Sequence, residues 1–204
     1  WRVSVLNGGY KNFRSKVLDE LKQIEDFDFK VIQGQTGSAK TKILESLKKF
    51  DAQILNLEDL ACHRGSLLGK EINKTQHSQR YFETLLHNSI TKLDSNYPVY
   101  LESESSKIGN LHIPNKLWEK LNLSERILLK VPTKERVKFL LNEYEHLTKK
   151  NDLLEPFLKG MAGRYPNKMI AHWRELIANK NWEQFVKEIL ENHYDPKYSF
   201  SEIK

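Results

Sequence analysis

The sequence predicts an α/β fold, a parallel sheet flanked by helices, with an all-helical part at the C-terminal end. Three observations carry this. Short apolar runs alternate with helix-period segments from residue 28 to about 148, and strands that alternate with helices pair in parallel through crossovers. The first strand-to-helix join is a loop of small residues, Gly34-Gln35-Thr36-Gly37-Ser38-Ala39-Lys40-Thr41. Beyond Asn151 the strand signals stop and only helical periodicity continues.

The elements follow in order. Arg2 to Asn7 alternates apolar residues and predicts a short strand, broken at Gly8-Gly9. Tyr10 to Ile24 sets Phe13, Val17, Leu18, Leu21 and Ile24 on one helical face. Phe29, Val31 and Ile32 form the strand entering the loop; Ile43, Leu44 and Leu47 face inward on the helix leaving it. Asp51 to Glu58 predicts a second strand, and Leu67 to His77 an irregular insert. Ser78 is placed to cap a helix whose inward face is Phe82, Leu85, Leu86 and Ile90. Tyr97 to Glu102 predicts a third strand, Gly109 to Pro114 a loop, Asn115 to Leu121 a short helix, and Arg126 to Val131 a further strand. Pro132-Thr133 opens a helix with Val137, Leu140, Leu141 and Tyr144 inward. Three more helices are expected over Leu153 to Met161, Lys168 to Ala178 and Asn181 to Glu191, with Trp173, Ile177, Trp182, Phe185, Val186 and Ile189 as core. His193 to Tyr198 reads as a turn-like closing segment.

Composition narrows the partners. The chain has 204 residues, 39% hydrophobic and 29% charged, and carries a net charge of +6 with a pI near 9.2. That balance suits a polyanion, RNA or DNA. No apolar run approaches the ~20 residues of a membrane span, so no membrane partner is expected. No signal peptide is visible at Trp1-Arg2-Val3. A lone Cys62 excludes a disulfide or a cysteine metal centre within the chain and fits a cytoplasmic setting.

The loop is the main chemical signal. A Gly, four residues, a small residue and Lys-Thr is the spacing of a phosphate-binding loop, so the sheet is expected to be P-loop NTPase-like. Its successive amides, from Gly34 to Thr41, curl around phosphate oxygens, and the following helix adds its positive end. Lys40 supplies a mobile cation, and Thr41 a hydroxyl for magnesium. Ala39 stands where a second-to-last glycine is usual. In such sheets ligands sit at the carboxyl ends of the strands, so two further loops are expected there. One carries His63 and Arg64, candidates for proton transfer and phosphate contact. The other carries Glu102 and Glu104, candidates for a base and, in Glu102, a magnesium ligand. Arg80 and Lys107 are candidate RNA or phosphate contacts.

With these residues in view the chain resembles tRNA 2-selenouridine synthase. The matching pieces are the loop itself, Leu57-Glu58-Asp59-Leu60-Ala61-Cys62-His63-Arg64-Gly65-Ser66, Ser78-Gln79 with Phe82-Glu83, Glu102-Ser103-Glu104-Ser105, Ile108-Gly109, Ile113-Pro114, and Tyr194-Asp195-Pro196-Lys197-Tyr198. Val5 to Lys11 resembles the last strand and helix entry of a rhodanese domain. The resemblance implies a rhodanese remnant and linking helix over 1–24, the phosphate-loop domain over 25–150 and a tRNA-binding helical part over 151–204. Ala39, Cys62 and Lys107 depart from the Gly, Asn and Arg that the family leads one to expect.

The implied activity is a two-step modification of the wobble 2-thiouridine of tRNA. A geranyl group is transferred from geranyl diphosphate to sulfur, and selenium from selenophosphate then replaces the S-geranyl group. Magnesium is the expected cofactor. The second step involves a rhodanese domain, expected in cis or in trans, so this chain alone is expected at most to geranylate. The competing readings are an NTP-dependent kinase or NTPase, which the strand–loop–helix pattern alone would favour, and a non-catalytic tRNA-binding module.

Overall fold

The predicted alternation produces a sheet of parallel strands in the computed structural model, which describes residues 2–63, 75–145 and 154–199. The chain divides into two units. The first comprises Trp1–Gln33 and Thr41–Ile127, and the second Gly34–Lys40 and Leu128–Lys204.

The first unit is built from α1 (Gly9–Glu20), β1 (Phe29–Gly34), α2 (Lys40–Lys49), β2 (Gln53–Ile54), α3 (Leu57–Ala61), α4 (Gln79–Ile90), β3 (Val99–Glu102), β4 (Lys107–Ile108), β5 (Leu111–His112), α5 (Asn115–Leu123) and β6 (Glu125–Leu129). The strand ends Gly34 and Leu128–Leu129, and Lys40 of α2, are counted with the second unit. The sheet order is β2-β3-β1-β6, and β3 runs parallel to both β1 and β2. Phe29 stands opposite Val99 and Ile32 opposite Glu102.

Continuous apolar character marks a strand covered on both faces. Accordingly Val31 and Ile32, adjacent in β1 and so on opposite faces, are both buried, and Val99 and Leu101 of β3 are fully buried, in one cluster with Leu21, Ile24, Val17 of α1, Phe82 and Leu86 of α4, and Leu117 of α5. β6 lies at the sheet edge, where Glu125 and Arg126 are exposed and suit an unpaired side.

Several sequence expectations change. Arg2 to Asn7 forms no strand; Val3 and Val5 are 81% and 89% exposed, because alternation needs a neighbouring strand to pair with. The second strand shortens to Gln53–Ile54, since the Asn56 side chain accepts from Asp59 N and starts α3 at Leu57. Of the insert over 67–77, only 75–77 lie among the described residues, and they carry no regular structure.

Gly109 to Pro114 is not simply a loop: β4 and β5 pair there as an antiparallel hairpin. Two glutamine amides hold it as peptide groups would. Gln76 donates to Ile108 O (2.8 Å) and accepts from Asn110 N (2.8 Å); Gln79 donates to His112 O (2.8 Å) and accepts from His112 N (2.8 Å).

The second unit is helical: α6 (Thr133–Glu143), α7 (Leu154–Met161), α8 (Asn167–Ala178), α9 (Trp182–Ile189), a π-helical turn (Leu190–Tyr194) and α10 (Asp195–Ser199). The closing segment is therefore helical rather than turn-like. α9 packs against α6 and α8. Trp173 is buried, and its indole N–H donates to Glu188 (3.0 Å), which satisfies the one polar atom it brings inside. No helix among the described residues is long and apolar enough to cross a membrane.

The hairpin turn yields a test. Gly109 has φ +60, and a Cβ there would stand 2.6 Å from the Gln76 amide and 2.8 Å from His63 Cδ2. Gly109→Ala is expected to lower unfolding free energy by more than about 1 kcal/mol in urea denaturation.

Candidate phosphate loop and acidic cluster

The loop that follows β1 turns tightly and leaves no space for a side chain at its two glycines. A Cβ on Gly34 would stand 2.5 Å from Ser38 Oγ, and one on Gly37 (φ +83) 3.0 Å from Leu140 Cγ and 3.1 Å from Arg136 O. Both glycines are thus demanded by close approach, and Gly37 also by its backbone. Ser38 N donates to Gln35 O (3.1 Å), closing the turn. Ser38 is buried, and its hydroxyl has no hydrogen-bond partner among the described residues. Ala39 sits at φ 60, the left-handed region that the usual glycine enters freely. Its Cβ costs about 1–2 kcal/mol there. Lys40 opens α2, and its ammonium donates to Gly34 O (3.0 Å) across the loop.

A buried arginine holds the loop from below. Arg136 on α6 is 1% exposed. Its guanidinium donates to Thr36 O (3.2 Å), to Thr133 Oγ1 (3.3 Å), and bidentately to Asp195 (2.8 and 2.7 Å). The Tyr198 hydroxyl lies 3.2 Å from Thr36 Oγ1. The Asp195–Tyr198 stretch therefore grips the loop twice, once through Arg136 and once directly. Sequence reading missed Arg136: a charged residue on an amphipathic helix reads as solvated. Its position beside Val137 on the inward face was the one available signal.

In the first unit, Glu102 ends β3, and Ser103 N donates to Ile32 O (2.9 Å), which continues the ladder beyond the strand. Oxygens of Glu58, Glu102 and Glu104 lie within 4.8 Å of one another. Three carboxylates are the donor set of a hard cation such as magnesium. The sequence reading places Glu58 at the end of the second strand and in a matching segment, and not among the metal ligands. The missed signal is that it follows β2 as Glu104 follows β3, in adjacent parallel strands. Thr41, on α2, is half-buried in the same unit.

His63 follows α3, its N–H donating to Glu58 O (3.1 Å), with its ring against Gly109. Between them Cys62 caps α3 at φ 51, a left-handed site that asparagine tolerates better than cysteine. Arg64 lies outside the described residues. Arg80 and Lys107 are exposed on α4 and β4; the Arg80 carbonyl accepts from Arg14 (3.1 Å).

Near the loop's C-terminal grip, buried His193 sits in a chain of hydrogen bonds. The Lys197 ammonium, 3.0 Å away, can only donate, so it fixes Nε2 as the acceptor. Nδ1–H then donates to Tyr165 (2.9 Å), whose hydroxyl donates to Asn192 O (3.2 Å). Burial, with Lys197 and Arg164 nearby, pushes the His193 imidazole down to about 4. Burial and Arg164 also lower Lys197.

Comparison with known proteins adds a family. Residues 27–163 match the model of the tRNA 2-selenouridine synthase AAA domain. The chain is 29% identical to a tRNA 2-selenouridine synthase of Sulfurovum sp. (strain NBC37-1), over 96% of this chain and 60% of that protein. It is 34% identical to one from Marinobacter nauticus (strain ATCC 700491 / DSM 11845 / VT8), over 69% of this chain and 38% of that protein. The chain thus spans less than two thirds of the length of these relatives.

Two outcomes are expected. Asp195→Ala leaves the buried Arg136 unpaired and should cost about 3–5 kcal/mol in chemical denaturation, whereas Arg136→Met with Asp195→Leu should recover part of the loss. The folded-state value of His193, about 4, lies below its ordinary 6.5. The unfolded chain therefore takes up the proton first as pH falls. Stability should be full above about pH 6.5 and decline toward pH 4, with His193→Gln flattening that slope in thermal melts.

Proposed function

The chain belongs to the tRNA 2-selenouridine synthase family, and from this we propose that it carries the diphosphate-handling part of a tRNA-modifying transferase. The substrate is a tRNA with 2-thiouridine at the wobble position, in the cytoplasm. The observation that carries the reading is the loop: two glycines with no room for a Cβ, a buried Ser38 hydroxyl, and Lys40 reaching across it.

In this reaction the thiouridine sulfur attacks C1 of geranyl diphosphate. The allylic C–O bond breaks, its electron pair leaves with the diphosphate, and the uridine ring gives up its N3 proton. Loop amides from Gly34 to Lys40 meet the charge that grows on the leaving oxygens. Lys40 exchanges a neutral carbonyl for a phosphate oxygen, a stronger charge-assisted bond. Glu104 and His63 in the first unit are the proposed proton acceptors. Thr41 and Glu102, with Glu58 beside Glu102, are the residues that would hold magnesium, which would supply further positive charge. Arg64, Arg80 and Lys107 remain the proposed contacts to RNA or phosphate. Replacement of the S-geranyl group by selenium from selenophosphate requires a rhodanese domain, in cis or in trans. This chain alone carries at most the geranylation.

Incubation with 2-thiouridine tRNA, geranyl diphosphate and magnesium tests the reading by nucleoside mass spectrometry, which should show a geranyl adduct. Lys40→Ala should abolish the adduct and weaken pyrophosphate binding by about 10–100-fold, the loss of one charged hydrogen bond. Phosphate release from ATP that disappears with Lys40 would identify an NTPase instead. tRNA binding without product, unchanged by Lys40→Ala, would identify a binding module.

A further inference from the structure

A cationic cluster in the second unit is left over by the loop and by the acids. Lys197 lies 3.0 Å from His193 Nε2 and 5.5 Å above the Tyr194 ring. Arg164 is exposed and directly precedes Tyr165, whose hydroxyl lies 2.9 Å from His193 Nδ1, so its backbone is fixed beside the same histidine, and its charge acts on both Lys197 and His193. No carboxylate among the described residues forms an ion pair with Lys197 or Arg164. Between His193 and Tyr198 the one acid is Asp195, which is committed to Arg136.

The neutral imidazole matters here. It accepts from Lys197, and so fixes the direction of the ammonium without adding a charge. Lys197 is held by His193 while Arg164 extends from the neighbouring backbone; like charges on one face repel, and an anion drawn between them removes that repulsion. The next residue, Tyr198, touches Thr36 of the phosphate loop, so the cluster and the loop share one short segment of the same unit.

We propose that Arg164 and Lys197, with Lys197 oriented by His193, bind a phosphodiester of the RNA substrate beside the diphosphate loop. The proposal rests on the tRNA reading above and adds where the polynucleotide backbone docks. Such contacts position an RNA without reading its sequence, and each displaces about one condensed cation.

The test uses the full chain and a labelled anticodon stem-loop RNA, with anisotropy measured over a range of salt concentrations. Arg164→Gln and Lys197→Gln should each weaken binding equally for unrelated stem-loop sequences and lower the slope of log K against log salt by about 1. Lys197→Arg should keep both, and pyrophosphate binding measured by calorimetry should not change in any of the three. Unchanged RNA affinity and slope in both glutamine variants would overturn the site and leave the tRNA reading standing. Failure of the unaltered chain to bind any RNA would overturn both. Binding to anionic lipid vesicles, lost in the variants, with no change toward RNA would also overturn it.

Discussion

The phosphate loop keeps its shape because a guanidinium is buried beneath it. Four of the Arg136 hydrogen bonds are placed, two to Asp195, one to Thr133 and one to the Thr36 carbonyl. Taking that charge out of water is costly, and the bidentate carboxylate offsets the cost only while both partners stay in register. The Thr36 carbonyl is the one main-chain acceptor of the set, so through it the ion pair holds the loop backbone itself. The course of residues 34–40 is therefore set by α6 and by the segment at the far end of the chain.

The first unit solves a similar problem without charge. Gln76 and Gln79 each present an amide that donates and accepts at once, as a neighbouring strand would. A two-residue pairing such as β4–β5 has too few ladder bonds to persist alone. The glutamines extend it, and His63 packs on the turn they hold. On the other side, the bond from Ser103 N to Ile32 O continues the β3 ladder toward Glu104. Glu102 and Glu104 thus leave a fixed strand end rather than a free loop.

Legibility followed the range of the interactions. The inward faces of α1 and α4 were largely readable because burial at a 3.6-residue period is a local property, and Phe82, Leu86 and Ile90 turn inward as the spacing requires. The strand–loop–helix turn over 34–41 was readable because glycine, lysine and threonine at fixed offsets report backbone geometry directly. Arg136 with Asp195 was not, since the two are 59 residues apart and each, taken alone, looks like a solvated charge. Glu58 joined Glu102 and Glu104 through sheet order, which periodicity does not encode. The N-terminal alternation misled for the converse reason: a pleated pattern is half of a pairing. Leu18, placed on the inward face of α1, is 42% exposed, so the buried stripe is narrower than the apolar one.

Ala39 carries a consequence beyond local strain. A methyl group at φ 60 removes most of the backbone freedom that glycine would keep at that position. An anion closing on a glycine hinge must first immobilise it, and that ordering subtracts from affinity. Here the hinge is already stiff, so an anion that entered the turn would meet a backbone it need not first order.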